Sequence, residues 1–378
     1  MKKIEALLYS NGKPLSIEID NGYIKKIDYR DDTVAGKNIY IAPGFIDNQV
    51  NGYLGVDFTS ADLKEEELLK VVTGLQKKGV TSFLPAVITA SEDILLASFK
   101  NLAKALNNPK IEAAVPGFHL EGPYISPLKG YRGAHNPQYI RPPDWVEFCR
   151  LNDAAEGKIL QVTLAPELDG AIEFIEKCTE RGITVSLGHH NASTEQIKKA
   201  VDAGARAVTH LGNGCANTIH RFENPLWPQL AEDRLTASII ADGHHLQEEQ
   251  LKVFYRSKTA KRLILTSDVT MLGGLPPGSY IWNGKEVVLE GSGVIRYTQE
   301  NCFGGASLPL LSGVNNMIRY AGCSLAEAID MVTANPAALY GFEDRGRIKT
   351  GTRADLILFS VENRQIVMQK VVFSGQEV

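Results

Sequence analysis

Chemistry-bearing residues gather in six short polar clusters, each placed directly after an apolar run. They are Asp47-Asn48-Gln49-Val50-Asn51-Gly52, His119-Leu120-Glu121-Gly122-Pro123, Gly188-His189-His190-Asn191-Ala192, Thr209-His210-Leu211, Ala241-Asp242-Gly243-His244-His245 and Thr266-Ser267-Asp268. All eight histidines lie between positions 119 and 245, within a third of the chain. One carboxylate with two imidazoles is a common ligand set for a catalytic Zn²⁺, which keeps its fourth position for water. Such an ion lowers the pKa of bound water to roughly 7, and a nearby carboxylate then takes the proton and returns it to a leaving nitrogen. Glu121, His189 and His210 fit the ligand roles, and Asp268 fits the proton shuttle.

Alternation along a strand lets only one member of each adjacent histidine pair point inward. Val185, Leu187 and His189 share one side, which favours His189 over His190. His119 has the parity of Glu121 and reads equally well as a hydrogen-bond donor to a ligand or as a packed core histidine. His220 reads as a solvated loop residue, and Asp47 as a strand-end cap or a residue orienting a ligand. Gln49 and Asn51 carry neutral amides, poor Zn²⁺ ligands beside imidazole and carboxylate, so their expected role is to hydrogen-bond the ligands or the substrate. One ion per chain follows.

The elements that must bring these clusters together are legible in the pattern of apolar residues. Eight short runs read as buried parallel strands: Ile41–Ile46, Val80–Val87, Ala114–Leu120, Leu160–Leu164, Thr184–Leu187, Ala207–Leu211, Ala237–Ile240 and Leu263–Leu265. Amphipathic helices fill the gaps, with stripes at Leu68, Val71, Val72, Leu75 and at Leu95, Phe99, Leu102, Leu106. Ser193-Thr194-Glu195-Gln196 forms a capping box that opens another helix. Eight such units predict a (β/α)₈ TIM barrel over residues 43–344, with its site at the C-terminal ends of the strands. Both ends of the chain are strand-rich, with hairpin signals at Asn11-Gly12 and Asp20-Asn21-Gly22. Residues 1–42 and 345–378 are therefore expected to build one small β-sandwich domain together.

Composition excludes several classes. With 378 residues, 44% of them hydrophobic and 22% charged, the chain can bury a large core without disulfides. A net charge of −4 offers no polybasic footprint for nucleic acid or a membrane surface. The first residues, Met1-Lys2-Lys3-Ile4-Glu5, lack an apolar signal core, and no run approaches membrane-spanning length. Five scattered cysteines (Cys149, Cys178, Cys215, Cys302 and Cys323) without a C-x-x-C pair fit reduced thiols of a cytoplasmic protein.

Several motifs sharpen this reading. Ala42-Pro43-Gly44-Phe45-Ile46-Asp47 and Gly346-Arg347-Ile348-Lys349-Thr350-Gly351-Thr352-Arg353-Ala354-Asp355-Leu356 bracket the barrel. Within it stand His119-Leu120-Glu121-Gly122-Pro123, Gly133-Ala134-His135-Asn136-Pro137 and Leu164-Ala165-Pro166-Glu167. Gly188-His189, Thr209-His210-Leu211 and Ala241-Asp242-Gly243 with His245 complete the set. Over essentially the whole chain these resemble the amidohydrolase superfamily, and within it the deacetylases of amino-sugar 6-phosphates. The resemblance implies a metal at Glu121, His189 and His210, with Asp268 as general base and acid. It implies that His135 polarises the acetyl carbonyl or binds the sugar beside Ala134. Asn213, Gly214, Arg221 and His245 would hold the phosphate, and backbone near Leu308 would line the pocket. It further implies a homodimer in which Arg221 reaches the neighbouring site.

The chain departs from the superfamily in two places. Gln49-Val50-Asn51 stands where many members carry His-x-His, and the segment from Gly214 to Pro225 differs from the usual phosphate-site pattern. The expected activity is metal-dependent hydrolysis of N-acetylglucosamine 6-phosphate to glucosamine 6-phosphate and acetate. Alternatives are the galactosamine isomer, a cyclic amide as in dihydroorotase-like members, and a non-catalytic binding barrel. No conspicuous lysine follows the fourth strand to bridge two metals, and this weighs against the cyclic amides.

Overall fold

The computed structural model describes residues 2–30, 38–298 and 303–378. Eight parallel strands stand side by side in sequence order: β1 (Phe45–Val50), β2 (Val80–Ile88), β3 (Phe118–Glu121), β4 (Ile159–Leu164), β5 (Thr184–Leu187), β6 (Ala207–Val208), β7 (Thr236–Ile239) and β8 (Leu263–Leu265). The circle is completed just beyond β8, where Val50 bridges Val269 in parallel and the Asp268 amide donates to the Gln49 carbonyl at 3.1 Å. Every residue of β1, β2, β3, β5 and β8 is buried, as expected for strands with helices outside and packed side chains inside.

Helices form where the apolar stripes demand them. Glu65–Gln76 opens with three glutamates, which suit the positive N-terminal end of the helix dipole, and buries Leu68, Val71, Val72 and Leu75. Glu92–Ala105 buries Leu95, Phe99 and Leu102. At Thr194–Asp202 the Ser193 hydroxyl accepts from the Gln196 amide while the Gln196 side chain accepts from the Ser193 amide, the reciprocal cap read in the sequence.

Two expected strands are corrected. The run Ile41–Ile46 is split: Tyr40–Pro43 pairs antiparallel with Leu356–Phe359, and β1 begins only at Phe45. Gly44 is the break, and a Cβ there would lie 2.2 Å from the Thr81 hydroxyl oxygen, so only glycine lets the chain pass so close to β2. The run Ala114–Leu120 is not all strand, because Pro109–Ala114 is a helix capped by Asn108, with proline in its first turn, and β3 starts at Phe118.

The two ends of the chain pair as expected, in one continuous hydrogen-bonded sheet rather than two. Its seven strands run in the order Gln376–Glu377, Gln365–Phe373, Leu356–Glu362, Tyr40–Pro43, Lys2–Leu8, Pro14–Asp20, Tyr23–Tyr29. Ile4, Leu15, Ile17, Ile41, Leu356 and Val372 form an apolar cluster of their own, apart from the barrel core. A further element had no counterpart in the sequence reading. After β8 an antiparallel three-stranded sheet (Gly278–Trp282, Lys285–Leu289, Ile295–Tyr297) turns at Asn283-Gly284 and packs Trp282, Val287, Leu289, Ile295 and Tyr297 against Ile88 and Leu272. Cys302 lies outside the described residues. No described helix is long and apolar enough to cross a membrane.

Candidate active site

A cavity of about 1200 Å³ opens at the C-terminal ends of the strands. Glu121 closes β3 at its floor, with Oε1 3.0 Å from His210 Nε2 and 3.4 Å from His189 Nε2. The three residues are buried, and their ligating atoms lie within 4.8 Å of one another. His189 Nδ1 lies 2.8 Å from the Tyr131 carbonyl. A carbonyl can only accept, so Nδ1 carries the proton and Nε2 presents a lone pair toward the Glu121 carboxylate. Two lone pairs facing each other at this distance repel unless a cation stands between them. The donor set, its burial and the fixed tautomer therefore fit a divalent metal ion held by Glu121, His189 and His210.

The charges of the site are coupled. Burial disfavours the Glu121 carboxylate, but the imidazoles of His189 and His210 beside it outweigh burial and hold its pKa well below the usual value. His210 shows the reciprocal effect: burial opposes its charge, yet the bond to Glu121 and the negative charge there raise its pKa. Burial, reinforced by repulsion from Glu121, lifts Asp268 to about 6. That places Asp268 where a group must sit to gain and lose a proton near neutrality.

Asp268 is tightly aimed. Its Oδ1 accepts from Gln49 Nε2 at 2.8 Å and from Asn51 Nδ2 at 2.7 Å, while no described protein donor reaches Oδ2. Gln49 Nε2 also donates to Glu121 Oε1 at 2.9 Å, so one amide ties the two carboxylates together. Asp47, buried behind them, accepts from Thr266 Oγ1 and the Ser267 amide and fixes the strand end that leads into Asp268.

Backbone geometry places the ring nitrogens and carboxylate as much as side-chain choice does. His189, His210 and Asp268 all adopt left-handed backbone, with φ of 52°, 33° and 51°. Non-glycine residues seldom do so, and each such position costs roughly 1–2 kcal/mol. The chain turns sharply as it leaves β5, β6 and β8, and the turn directs these three side chains inward.

Of the other expected residues, His135 is buried beside the cluster, its ring 4.4 Å from that of His189 and its Nδ1 2.7 Å from Thr89 Oγ1. Burial, aided by the neighbouring His189, drives its pKa down to about 3, so the ring is neutral. Ala134, Asn213, Gly214 and His245 line the cavity. Asn213 Nδ2 is buried with no acceptor among the described residues, and His245 Nδ1 is bound to Asp242 Oδ2 at 2.8 Å. Arg221 and Leu308 are not among the residues lining the cavity of their own chain. Arg221 is exposed, its guanidinium 4.5 Å from the Phe222 ring centroid. His119 points into the barrel interior, bonded to Thr163 and Gln161, with its pKa lowered to about 4 by burial. Of its two readings, the packed core histidine is the one its contacts describe.

Among the cavity residues that escaped the sequence reading are Lys129, Arg132, Trp282, Arg296 and Phe303. Arg132 stands next to the Gly133-Ala134-His135 motif, and that adjacency was an available signal. Trp282, Arg296 and Phe303 come from or flank the inserted three-stranded sheet, whose position over the barrel mouth no local pattern encodes.

Comparison with known proteins agrees with this geometry. The model of the amidohydrolase family matches residues 40–378. The chain belongs to the amidohydrolase family. It is 32% identical over 337 residues to an N-acetylgalactosamine-6-phosphate deacetylase of Escherichia coli O157:H7, covering 89% of this chain and 87% of that one. It is 34% identical over 351 residues to an N-acetylglucosamine-6-phosphate deacetylase of Mus musculus, covering 89% and 83%. Among solved structures, the N-acetylglucosamine-6-phosphate deacetylase of Thermotoga maritima superposes with a TM-score of 0.88 at 29% identity, over 100% of this chain and 99% of that one. For this amidohydrolase the buried cluster at Glu121, His189 and His210 accordingly stands as a candidate divalent-metal site in a family of metal-dependent hydrolases.

Proposed function

We propose that this amidohydrolase removes the acetyl group of N-acetylglucosamine 6-phosphate, giving glucosamine 6-phosphate and acetate. The observation that carries the reading is the buried Glu121, His189 and His210 cluster tied through the Gln49 amide to Asp268, whose Oδ2 is left for a proton. Deacetylases of amino-sugar phosphates among the relatives supply the substrate class.

Glu121, His189 and His210 would hold the ion, which we take to be Zn²⁺, one per chain. When bound, it supplies Lewis acidity for the acetyl carbonyl and eases deprotonation of water. Asp268 Oδ2 takes the proton from the attacking water and later delivers it to the leaving nitrogen, so the amine departs neutral. Gln49 and Asn51 hold Oδ1 and keep the carboxylate in one orientation throughout. Neutral amides are poor Zn²⁺ ligands beside imidazole and carboxylate, which favours a single ion over a second one bound at Gln49 and Asn51. His135, neutral and fixed by Thr89, donates from Nε2 to the acetyl oxygen as negative charge develops there.

Asn213, Gly214 and His245 would hold the sugar phosphate within the chain. Arg221, exposed and outside its own cavity, would serve the site of a neighbouring copy in a homodimer. The adjoining exposed side chains of Phe222 and Trp227, 68% and 53% accessible, give that neighbour an apolar surface to cover. The galactosamine epimer is the second reading, favoured by the similarity to the E. coli deacetylase. Acetate release from N-acetylglucosamine 6-phosphate, its galactosamine epimer and their unphosphorylated parents tests chemistry, epimer and phosphate requirement together. Absence of acetate from all four, in enzyme loaded with Zn²⁺, refutes the deacetylase reading.

A further inference from the structure

The cavity is divided by polarity. Lys129, Arg132 and Arg296 bring cations to it and Asn213 and Asn217 bring amides, while apolar side chains line it in two places, around Leu226, Leu230 and Phe254 and in a corner beside the reacting groups. Ile88 ends β2 directly in register with Glu121 and belongs to one apolar cluster with Trp282 and Ala134. Paired residues of neighbouring strands project to the same side, so the Ile88 side chain stands beside the Glu121 carboxylate. Ala134 immediately precedes His135. The distal edge of the Trp282 indole abuts Gly304 and Gly305, where a Cβ would lie 3.4 and 3.8 Å from ring carbons. The segment containing these glycines runs beside Asp268, with the Ala306 amide donating to the Asp268 carbonyl at 3.2 Å. Three apolar side chains from three elements thus converge next to Glu121, His135 and Asp268.

Trp282 is not free to yield. It is 5% exposed, its Nε1 donates to Asp57 Oδ2 at 2.9 Å, and its ring stacks on Tyr297 with centroids 6.2 Å apart. Asp57 is itself anchored by the Thr59 amide at 2.8 Å. The wall is rigid, and a rigid wall fixes depth.

An N-acetylated sugar phosphate has one small, wholly apolar appendage, the acyl methyl, and it is one bond from the carbon that water attacks. It must therefore lie beside the reacting groups, where a hydroxyl or phosphate would be poorly solvated and a methyl is well accommodated. Resting on the deacetylase reading above, we propose that Ile88, Ala134 and Trp282 form the acyl subsite, and that Trp282 is the residue limiting it to acetyl. The reaction is unchanged. What the wall sets is the length of acyl chain that can be presented to Asp268 and the metal ligands.

The test compares kcat/KM for N-acetyl, N-propionyl and N-butyryl glucosamine 6-phosphate in wild type, Trp282→Ala, Trp282→Phe and Ile88→Ala, all loaded with Zn²⁺. A methylene gained or lost in an apolar pocket changes discrimination by about 10- to 200-fold. Wild type should prefer acetyl over propionyl by at least about tenfold. Trp282→Ala should raise the propionyl-to-acetyl ratio by a comparable factor and admit butyryl, with Trp282→Phe intermediate. Ile88→Ala reaches the same corner from β2 and should shift the ratio in the same direction, so a folding defect in one variant leaves the others to decide. Unchanged ratios in the variants that fold, while wild type releases acetate, overturn the acyl subsite alone. Failure of wild type to act on any member of the series overturns the deacetylase reading and the subsite with it.

Discussion

Gly133→Ala is a one-methyl perturbation aimed at a metal-ligand candidate without touching its chemistry. Gly133 has φ of +54°, and a Cβ there would lie 2.9 Å from Cε1 of His189. Alanine in left-handed backbone costs roughly 1–2 kcal/mol. Carbon atoms in ordinary contact sit about 3.5 Å apart, so the methyl and the imidazole must separate by about 0.6 Å. The ring has little room to move. Its Nδ1 is held by the Tyr131 carbonyl at 2.8 Å, Gly214 closes the other side, and the His135 and His210 rings stand 4.4 and 4.8 Å away. Overpacking of this kind adds about 1–3 kcal/mol, giving a total of about 2–5 kcal/mol. Metal sites tolerate about 0.2 Å of ligand displacement, and disturbing a ligand's support typically lowers affinity about 10- to 100-fold. The control is Gly157→Ala, with φ of +73° and nothing within 4 Å, which carries only the backbone cost. Chelator competition and urea unfolding of both variants check the reasoning. Equal stability losses together with equal Zn²⁺ affinities would refute the proposed clash with His189.

Removing the metal with a chelator should abolish activity, and Zn²⁺ should restore it with about one ion bound per chain, as three protein ligands imply; two ions with Gln49 or Asn51 ligated would contradict the assignment. Asp268→Asn should lower kcat by about three orders of magnitude or more with metal content nearly unchanged, because an amide cannot accept and return the proton; near-normal turnover would move the base elsewhere. Arg221→Ala should weaken phosphorylated substrates selectively, through loss of a forked phosphate contact; equal losses on phosphorylated and unphosphorylated sugars would indicate a general defect instead. Asp57 supplies a pH test away from the metal ligands. Burial raises its pKa to about 6 in the folded chain, above the roughly 3.9 of an unfolded chain, so between these values the folded state holds the extra proton. Its stabilising contribution is complete below pH ~3.9 and is lost as pH rises through about 6. The unfolding free energy of Asp57→Asn relative to wild type should therefore increase as pH rises from about 4 to about 7, and a constant or falling difference in urea titrations would contradict the burial argument.

The barrel was readable because its determinants are local and periodic: buried strands announce themselves as short β-branched runs, and helices by stripes such as Leu68, Val71, Val72 and Leu75. Strand order then follows from alternation, so the strand ends carrying Glu121, His189, His210 and Asp268 could be listed before their convergence was seen. The errors arose where one run of apolar residues serves two masters. Ile41–Ile46 is apolar throughout because half of it is buried in the terminal sheet and half in the barrel, and hydrophobicity alone does not distinguish the two. The Trp282 wall was invisible for a different reason. Its place depends on how an insertion folds back over the barrel mouth, and the Trp282–Asp57 bond spans 225 positions of sequence. Nor could the sequence reveal that Gln49 bridges Glu121 and Asp268, since which amide hydrogen faces which carboxylate is set by tertiary packing.

The left-handed backbone at positions 189, 210 and 268 also bears on what this barrel could become. Besides glycine, the residues that enter that conformation most readily are asparagine, aspartate and histidine. Glycine brings no ligating atom, and asparagine cannot carry the proton, which leaves histidine and aspartate. A cysteine, glutamate or lysine introduced at any of the three would meet a higher backbone cost than histidine or aspartate, which enter that region several-fold more readily. The turns at the strand ends thus filter side chains by conformation ahead of any selection for catalysis. Divergence toward new reactions on this scaffold is steered to exchanges of imidazole and carboxylate in those slots, and to free variation in the loops and inserted sheet around them.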